Sequence, residues 1–238
     1  MTKIVHSQTL LAARFADINA RIAVACAKKG IGRENVKLVA ISKTHPASLI
    51  RQALEVGATD IGENKVQEAE SKITEIGRQR ATWHLVGHLQ SNKARRAVKL
   101  FDVIHSLDSI GLAEKLERYS AEEGRDDLRV LIQVDLGGEA TKSGIKEEKL
   151  PELIAVVRDC PRLKLIGLMT LPPFFENPED SRPFFRKLRL IRDELSRQGV
   201  FGESSGELSM GMTHDFEIAI DEGATMVRVG TALFGSRV

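Results

Sequence analysis

Aromatic side chains are scarce in this 238-residue chain, with one tryptophan, one tyrosine and nine phenylalanines making up 5% of it. Cysteine is scarcer still. Cys26 and Cys160 form neither a close-spaced metal motif nor a disulfide framework, and Cys26 falls on an apolar helical stripe that assigns it to a core. No charge of one sign dominates. The 35 Lys and Arg stand against 33 Asp and Glu, the signs are interspersed, and a net +2 calls for neither a nucleic acid nor an anionic membrane as partner. No apolar run approaches the roughly 18 residues of a membrane helix, and the opening Met1-Thr-Lys-Ile-Val-His6 lacks the apolar core of a signal peptide. The sequence therefore predicts a soluble, cytoplasmic protein. Linkers rich in Pro, Gly and Ser, charge blocks, repeats and low-complexity tracts are missing too, which leaves one domain over residues 1–238.

What is present, at 42% hydrophobic content, is an alternation of short apolar runs and amphipathic segments. Leu11, Phe15, Ile18, Ile22 and Cys26 recur every three or four residues, one apolar stripe of a helix that ends near Gly30 and Gly32. Residues 1–35 thus read as an N-terminal helix packed on the rest of the domain. Strands are predicted at 36–41, 59–62, 82–86, 101–105, 128–135, 163–169, 207–210 and 226–229, the seventh being poorly patterned. Helices are expected from Pro46 to about Val56, across Glu63–Glu70 toward Gly77, after Lys93, and around Leu112–Tyr119, Leu150–Val157 and Phe184–Leu195. Eight strands alternating with helices over this length predict a single α/β (β/α)8 TIM barrel with an extra N-terminal helix. The rival doubly wound sheet lacks its G-x-G-x-x-G after the first strand.

In such a barrel, function collects at the carboxyl ends of the strands, and phosphate is often held by the loops after strands seven and eight. Strand ends supply Lys43, Asn64, His84, His88, Met169, the turn Ser209-Met210-Gly211, Arg228, Gly230 and Thr231. Lys43 stands just past Leu38-Val-Ala-Ile41. An amine there is partly desolvated, which disfavours its charged form and makes it a nucleophile toward an aldehyde; a solvated loop lysine is the alternative. Ser209-Met210-Gly211 and Gly230-Thr231 offer backbone N–H groups and two hydroxyls, the parts of an anion cradle, unless the glycines only serve tight turns. Arg228, two residues before Gly230, points to the same side as that glycine. An inward arginine needs a partner, and Asp135 is the acid expected if its role is structural.

Three tempting motifs fail on context. Gly202-Glu-Ser-Ser-Gly206 matches G-x-S-x-G, but a strand follows it where a nucleophile elbow needs a helix. His84 and His88 are four apart without the intervening glutamate, on a strand and turn, and are assigned to a turn or rim instead of to zinc. Lys93, Arg95, Arg96 and Lys99 make a basic helix face with no interleaved aromatics, which reads as a solvated surface.

Six segments form one ordered pattern: Leu38-Val-Ala-Ile-Ser-Lys-Thr44, Ile61-Gly-Glu-Asn64, the run from Trp83 to Lys93, Gly167-Leu-Met-Thr170, Leu208-Ser-Met-Gly-Met212 and the run from Val227 to Gly235. Together they resemble the pyridoxal 5'-phosphate homeostasis proteins, over about residues 36 to 236. The resemblance implies a barrel like the N-terminal domain of bacterial alanine racemase, binding pyridoxal phosphate (PLP) without established catalytic turnover. It implies that Lys43 is the Schiff-base lysine and that Ser209, Gly230 and Thr231 contact the phosphate, with Met210 and Gly211 in the same turn. Asn64 would lie beside the ring and Arg228 would face the pyridine nitrogen. Thr213-His214 and Leu171-Pro-Pro173 depart from the family pattern at the rim.

An arginine at that nitrogen donates a hydrogen bond and leaves the nitrogen unprotonated, so the ring is a poor electron sink. The implied function is a carrier that takes up PLP and releases it to PLP-dependent apo-enzymes. An amino-acid racemase of the alanine racemase type is the alternative. It needs an acid or base on each face of the cofactor, whereas Tyr119, the sole tyrosine, falls on a mid-chain helix away from the predicted rim. Without the racemase's second domain, a monomer is expected. A cofactor-free Schiff-base aldolase is a third reading, which predicts no bound chromophore.

Overall fold

The computed structural model describes residues 2–138 and 143–235. Its strands are β1 (Lys37–Ile41), β2 (Asp60–Glu63), β3 (Thr82–Leu85), β4 (Val103–Leu107), β5 (Leu128–Asp135), β6 (Ile145–Lys146), β7 (Leu163–Met169), β8 (Glu207–Met212) and β9 (Met226–Val229). Helices α1 (Thr2–Lys29), α2 (Ala47–Glu55), α3 (Val66–Ile76), α4 (Ala94–Leu100), α5 (Ile110–Glu122), α6 (Leu150–Arg158), α7 (Arg182–Arg197), α8 (Phe216–Asp221) and α9 (Thr231–Phe234) alternate with them.

All strand pairs are parallel. They run side by side in the order β4-β3-β2-β1-β9-β8-β7-β5, and β4 pairs with β5 to close the ring. This is the (β/α)8 barrel that the alternation predicts. Among the described residues the short β6 pairs with β5 alone, outside the ring. Two residues are too few to carry a period of their own, so the sequence pattern offers no sign of it.

The strands are apolar because both their faces are covered. One face meets the helix layer through Leu38, Ala40, Ile61, Trp83, Leu85, Ile104, Leu208 and Val227, all buried. The other fills the barrel with two small apolar clusters, Val39, Ile41, Val86 and Met226 in one and Val103, Leu131 and Met169 in the other. Ile18, Ile22 and Cys26 are buried as their spacing predicts, and α1 packs on α2, α8 and α9, with Arg21 donating to Glu217 at 2.7 Å. Both cysteines lie in this layer, where burial raises their thiol pKa values and keeps them protonated.

Two boundaries differ from the sequence reading in ways that bear on function. Glu63 closes β2 and is fully buried, and α3 starts only at Val66, because Glu63 is drawn inward by partners far along the chain. The poorly patterned seventh strand runs on to Met212, so Ser209-Met210-Gly211 belongs to a strand and not to the loop after it.

Candidate ligand cavity at the barrel mouth

A cavity of about 420 Å³ opens at the carboxyl ends of the strands, lined among others by Lys43, Asn64, Thr213, Arg228, Gly230 and Thr231. Lys43 is half-buried, in the turn between β1 and α2. That turn is fixed on both sides of the lysine. Ser42 is buried and donates its hydroxyl to Glu63 Oε1 at 2.5 Å, while its carbonyl accepts from Lys72 Nζ at 2.7 Å. Thr44, at φ 67°, sits in the left-handed region that non-glycine residues rarely adopt, and its N–H donates to Glu68. Lys72 joins the two carboxylates, 2.6 Å from Glu63 Oε1 and 2.7 Å from Glu68 Oε1. Burial pushes the Glu63 carboxyl up, against the lowering by its Lys72 and Ser42 hydrogen bonds.

Asn64 follows Glu63 and is held in place by a close backbone approach. A Cβ at Gly87, in the turn after β3, would overlap the Asn64 carbonyl, so only glycine lets that turn reach the mouth.

Arg228 stands in β9, next to Val39 of β1 and therefore inside the barrel, with 4% of its surface exposed. Burial lowers its pKa to about 10, with Asp215 the counteracting charge. The structural alternative, an ion pair with an acid such as Asp135, is not what the fold shows: that carboxylate accepts from the N–H groups of Gly137 and Gly138 and shapes its own turn. Arg228 donates instead to Ser209 Oγ at 2.7 Å and to the Thr170 carbonyl at 2.8 Å.

Ser209 is thus a partner of the arginine, fully buried, and its side chain does not reach the cavity lining. Met210 faces the opposite way, into the helix layer. Gly211 turns the strand at φ 87°, where a Cβ would strike Ala219 and Phe216 of α8. The cavity wall from this strand comes one step later, from Met212, Thr213 and His214. The extra residues of β8 move the loop that lines the cavity to Thr213, a position that the sequence marks only as a departure at the rim.

His84 departs furthest from expectation. Instead of lying at the rim it is buried inside the barrel, its Nε2 2.9 Å from Asp60 Oδ1 and its Nδ1 2.8 Å from His105 Nε2. His105 Nδ1 in turn lies 2.9 Å from Ser209 Oγ. His88 is half-exposed beside Asp108 at 3.3 Å, a rim position. The basic helix face is laced by acids, with Arg95 and Lys99 on Glu123 at 3.1 Å each and Arg96 on Glu70 at 3.6 Å. Tyr119 packs under Arg95 and Arg118, on α5 and away from the cavity.

Residues 18–238 match the family model described as alanine racemase, N-terminal domain. A pyridoxal phosphate homeostasis protein of Aquifex aeolicus is 45% identical over 224 residues, spanning 94% of this chain and 97% of that one. The chain belongs to the pyridoxal phosphate homeostasis protein family. Among solved structures, PipY of Synechococcus elongatus PCC7942 without PLP is 38% identical, with a TM-score of 0.84 over 94% of this chain and all of that one (100%). PipY with PLP bound superposes with a TM-score of 0.79 at the same identity and coverage.

Proposed function

We propose that the chain binds PLP in the cavity at the barrel mouth and acts as a carrier of the cofactor, without turnover of its own. The observation that carries this reading is the convergence of Lys43, Asn64, Arg228 and Thr231, from the ends of three strands, β1, β2 and β9, on one cavity. The donor set fits the molecule. Lys43 offers an amine for the aldehyde carbon, Arg228 a buried guanidinium for the pyridine nitrogen, and Thr213, Gly230 and Thr231 hydroxyl and backbone groups for the phosphate. Asn64 would rest against the ring.

When bound, PLP supplies an electrophilic aldehyde and a ring able to draw electrons from an attached carbon. The residues here favour the first property over the second. A guanidinium has only donors, so Arg228 holds the nitrogen without protonating it. The family name and the PLP bound to PipY support the carrier reading. It extends to release of PLP to apo-enzymes that need it, from a cytoplasmic monomer.

The test is the visible spectrum of protein mixed with PLP, before and after borohydride reduction, with the modified peptide mapped. Fixation on Lys43 is expected, and a band that survives in Lys43→Ala refutes the assignment. A racemase would exchange the Cα proton of alanine with solvent deuterium, whereas the carrier leaves it in place. A cofactor-free aldolase would show no PLP-dependent absorbance at all.

A further inference from the structure

The inside of the barrel carries a continuous polar chain that PLP binding alone does not require. It begins at Asp60, the first residue of β2, passes through His84 of β3, His105 of β4 and Ser209 of β8, and ends on Arg228 of β9. Each of these five side chains is buried. Polar groups are costly inside a barrel unless every one is paired, and here each link is between 2.7 and 2.9 Å.

The direction of every hydrogen bond follows by elimination. Arg228 can only donate, so Ser209 Oγ accepts from it; among the described residues His105 Nδ1 is the other group at hydrogen-bond distance from that hydroxyl, whose proton would otherwise be buried without an acceptor, so Ser209 donates to His105 Nδ1. His105 Nε2 then carries the ring proton and donates to His84 Nδ1. His84 Nε2 carries its own proton and donates to Asp60 Oδ1, while Thr59 Oγ1 donates to Asp60 Oδ2 at 2.7 Å. One tautomer of each ring satisfies the whole chain, and both rings are neutral. Burial lowers the pKa of each histidine, His105 well below the usual range. Asp60 lies low despite burial because His84 and Thr59 both donate to it.

We propose that Asp60 is a second counter-charge of Arg228, beside Asp215 at the mouth, acting across the barrel through His84, His105 and Ser209, and that these four are positioning residues for the guanidinium. Every dipole in the chain points its negative end toward Arg228 and its positive end toward Asp60, which polarises each link in the same sense. Among the described residues no ion pair includes Arg228, so no carboxylate touches it directly. A shift of one proton along each link would leave a neutral arginine and a protonated Asp60. The wide gap in acidity between the two ends opposes that shift. The chain therefore holds charge in place and fixes the guanidinium without carrying protons away.

Other charges face the two ends. Asp215, at the start of α8, attracts Arg228 from the mouth and is itself held by the Met212 N–H at 2.7 Å. Lys37 acts on Asp60 and on both histidines, and Arg129 on His84, from the strand starts at the foot. The significance for PLP rests on the proposed function; the chain itself does not.

The experiment is NMR of protein labelled in arginine and histidine. Both imidazoles are expected to carry their proton on Nε2 at neutral pH; a proton on Nδ1 of either ring overturns the proposal. The Arg228 guanidinium of Asp60→Asn is expected to lose its proton at a pH about one unit lower than in the native chain, a tenfold fall in proton affinity. Ser209→Ala cuts the chain next to the arginine with the loss of one oxygen, and should lower that midpoint likewise while leaving the His84 signals in place. It decides the matter if Asp60→Asn does not fold, and a midpoint unchanged in Ser209→Ala also overturns the proposal. PLP titration of the same samples separates the two readings. Native protein that binds no PLP defeats the proposed function and leaves the chain standing, whereas wrong tautomers defeat the chain and leave PLP binding standing.

Discussion

Lys72 and Glu63 form a buried ion pair, Nζ to Oε1 at 2.6 Å, whose lysine also holds the carbonyl of the residue before Lys43. The pair stitches the end of β2 and the first turns of α3 to the turn that presents Lys43 to the cavity. Neither partner is exposed beyond 7%, and removing Lys72 leaves Glu63 a buried carboxylate without its cation, with only the Ser42 hydroxyl still donating to it, whereas Lys72 without Glu63 keeps Glu68.

Lys72→Met should therefore cost about 3–5 kcal/mol of stability, the usual penalty for breaking a buried pair from one side. Glu63→Gln is milder, because the amide still accepts from Lys72 and Ser42. Urea midpoints of both variants measure the difference. PLP affinity should fall in both, since Ser42 and Thr44 flank Lys43; a Lys72→Met chain with native stability and native affinity would show the pair to be incidental.

The two buried histidines predict how stability varies with pH. Their folded pKa values lie below the ordinary 6.5, so the unfolded chain binds protons that the fold refuses. The stability they contribute is complete above the unfolded value and is lost as pH falls through the folded ones. Asp60, also lowered, adds loss of the same sign at still lower pH. Below pH 6.5 each histidine should steepen the decline by up to about 1.4 kcal/mol per pH unit. Urea unfolding at a series of pH values measures the slope, and His105→Gln should flatten it; an equal slope in that variant would falsify the assignment.

Some of this architecture was legible from patterns and some was not. The β1 run from Leu38 to Ile41 is apolar because both its faces are covered, so periodicity and the residues after it point directly to Lys43. Arg228 was legible in the same way, as a charge alternating into an apolar interior. Its partners were not, because Ser209, His105 and His84 come from strands far apart in sequence and meet only when the barrel closes. Ser209 misleads for a related reason. A Ser-Met-Gly turn and a Ser-Met-Gly strand end have the same composition, and only the pairing of Met212 with Arg228 extends the strand past the glycine. Glu63 looked helical by composition, and the buried Lys72 one helix away is what pulls it into β2.

Gly87 gives a test of placement without chemistry. Gly87→Ala puts a methyl group against the Asn64 carbonyl, and backbone has to move to make room. Overpacking of this kind costs about 1–3 kcal/mol. The shift falls at the mouth, so PLP affinity should drop by more than global stability does; isothermal titration against urea unfolding separates the two. A variant that binds PLP normally would mean that Asn64 does not touch the ligand.

The last prediction distinguishes the two threonines of the cavity from the serine buried behind it. Thr213 and Thr231 line the cavity near Gly230, whereas Ser209 faces Arg228 from inside the barrel. If the threonines serve the phosphate, Thr231→Val and Thr213→Val should each weaken PLP by about 1–3 kcal/mol through an unmet charged acceptor, and leave pyridoxal, which has no phosphate, nearly unaffected. Ser209→Ala should instead weaken both ligands alike, because it acts on the arginine at the ring nitrogen. Competition titrations with PLP and pyridoxal give the ratio for each variant. A Ser209→Ala chain that loses PLP selectively would restore the serine to the phosphate and remove Thr213 from it.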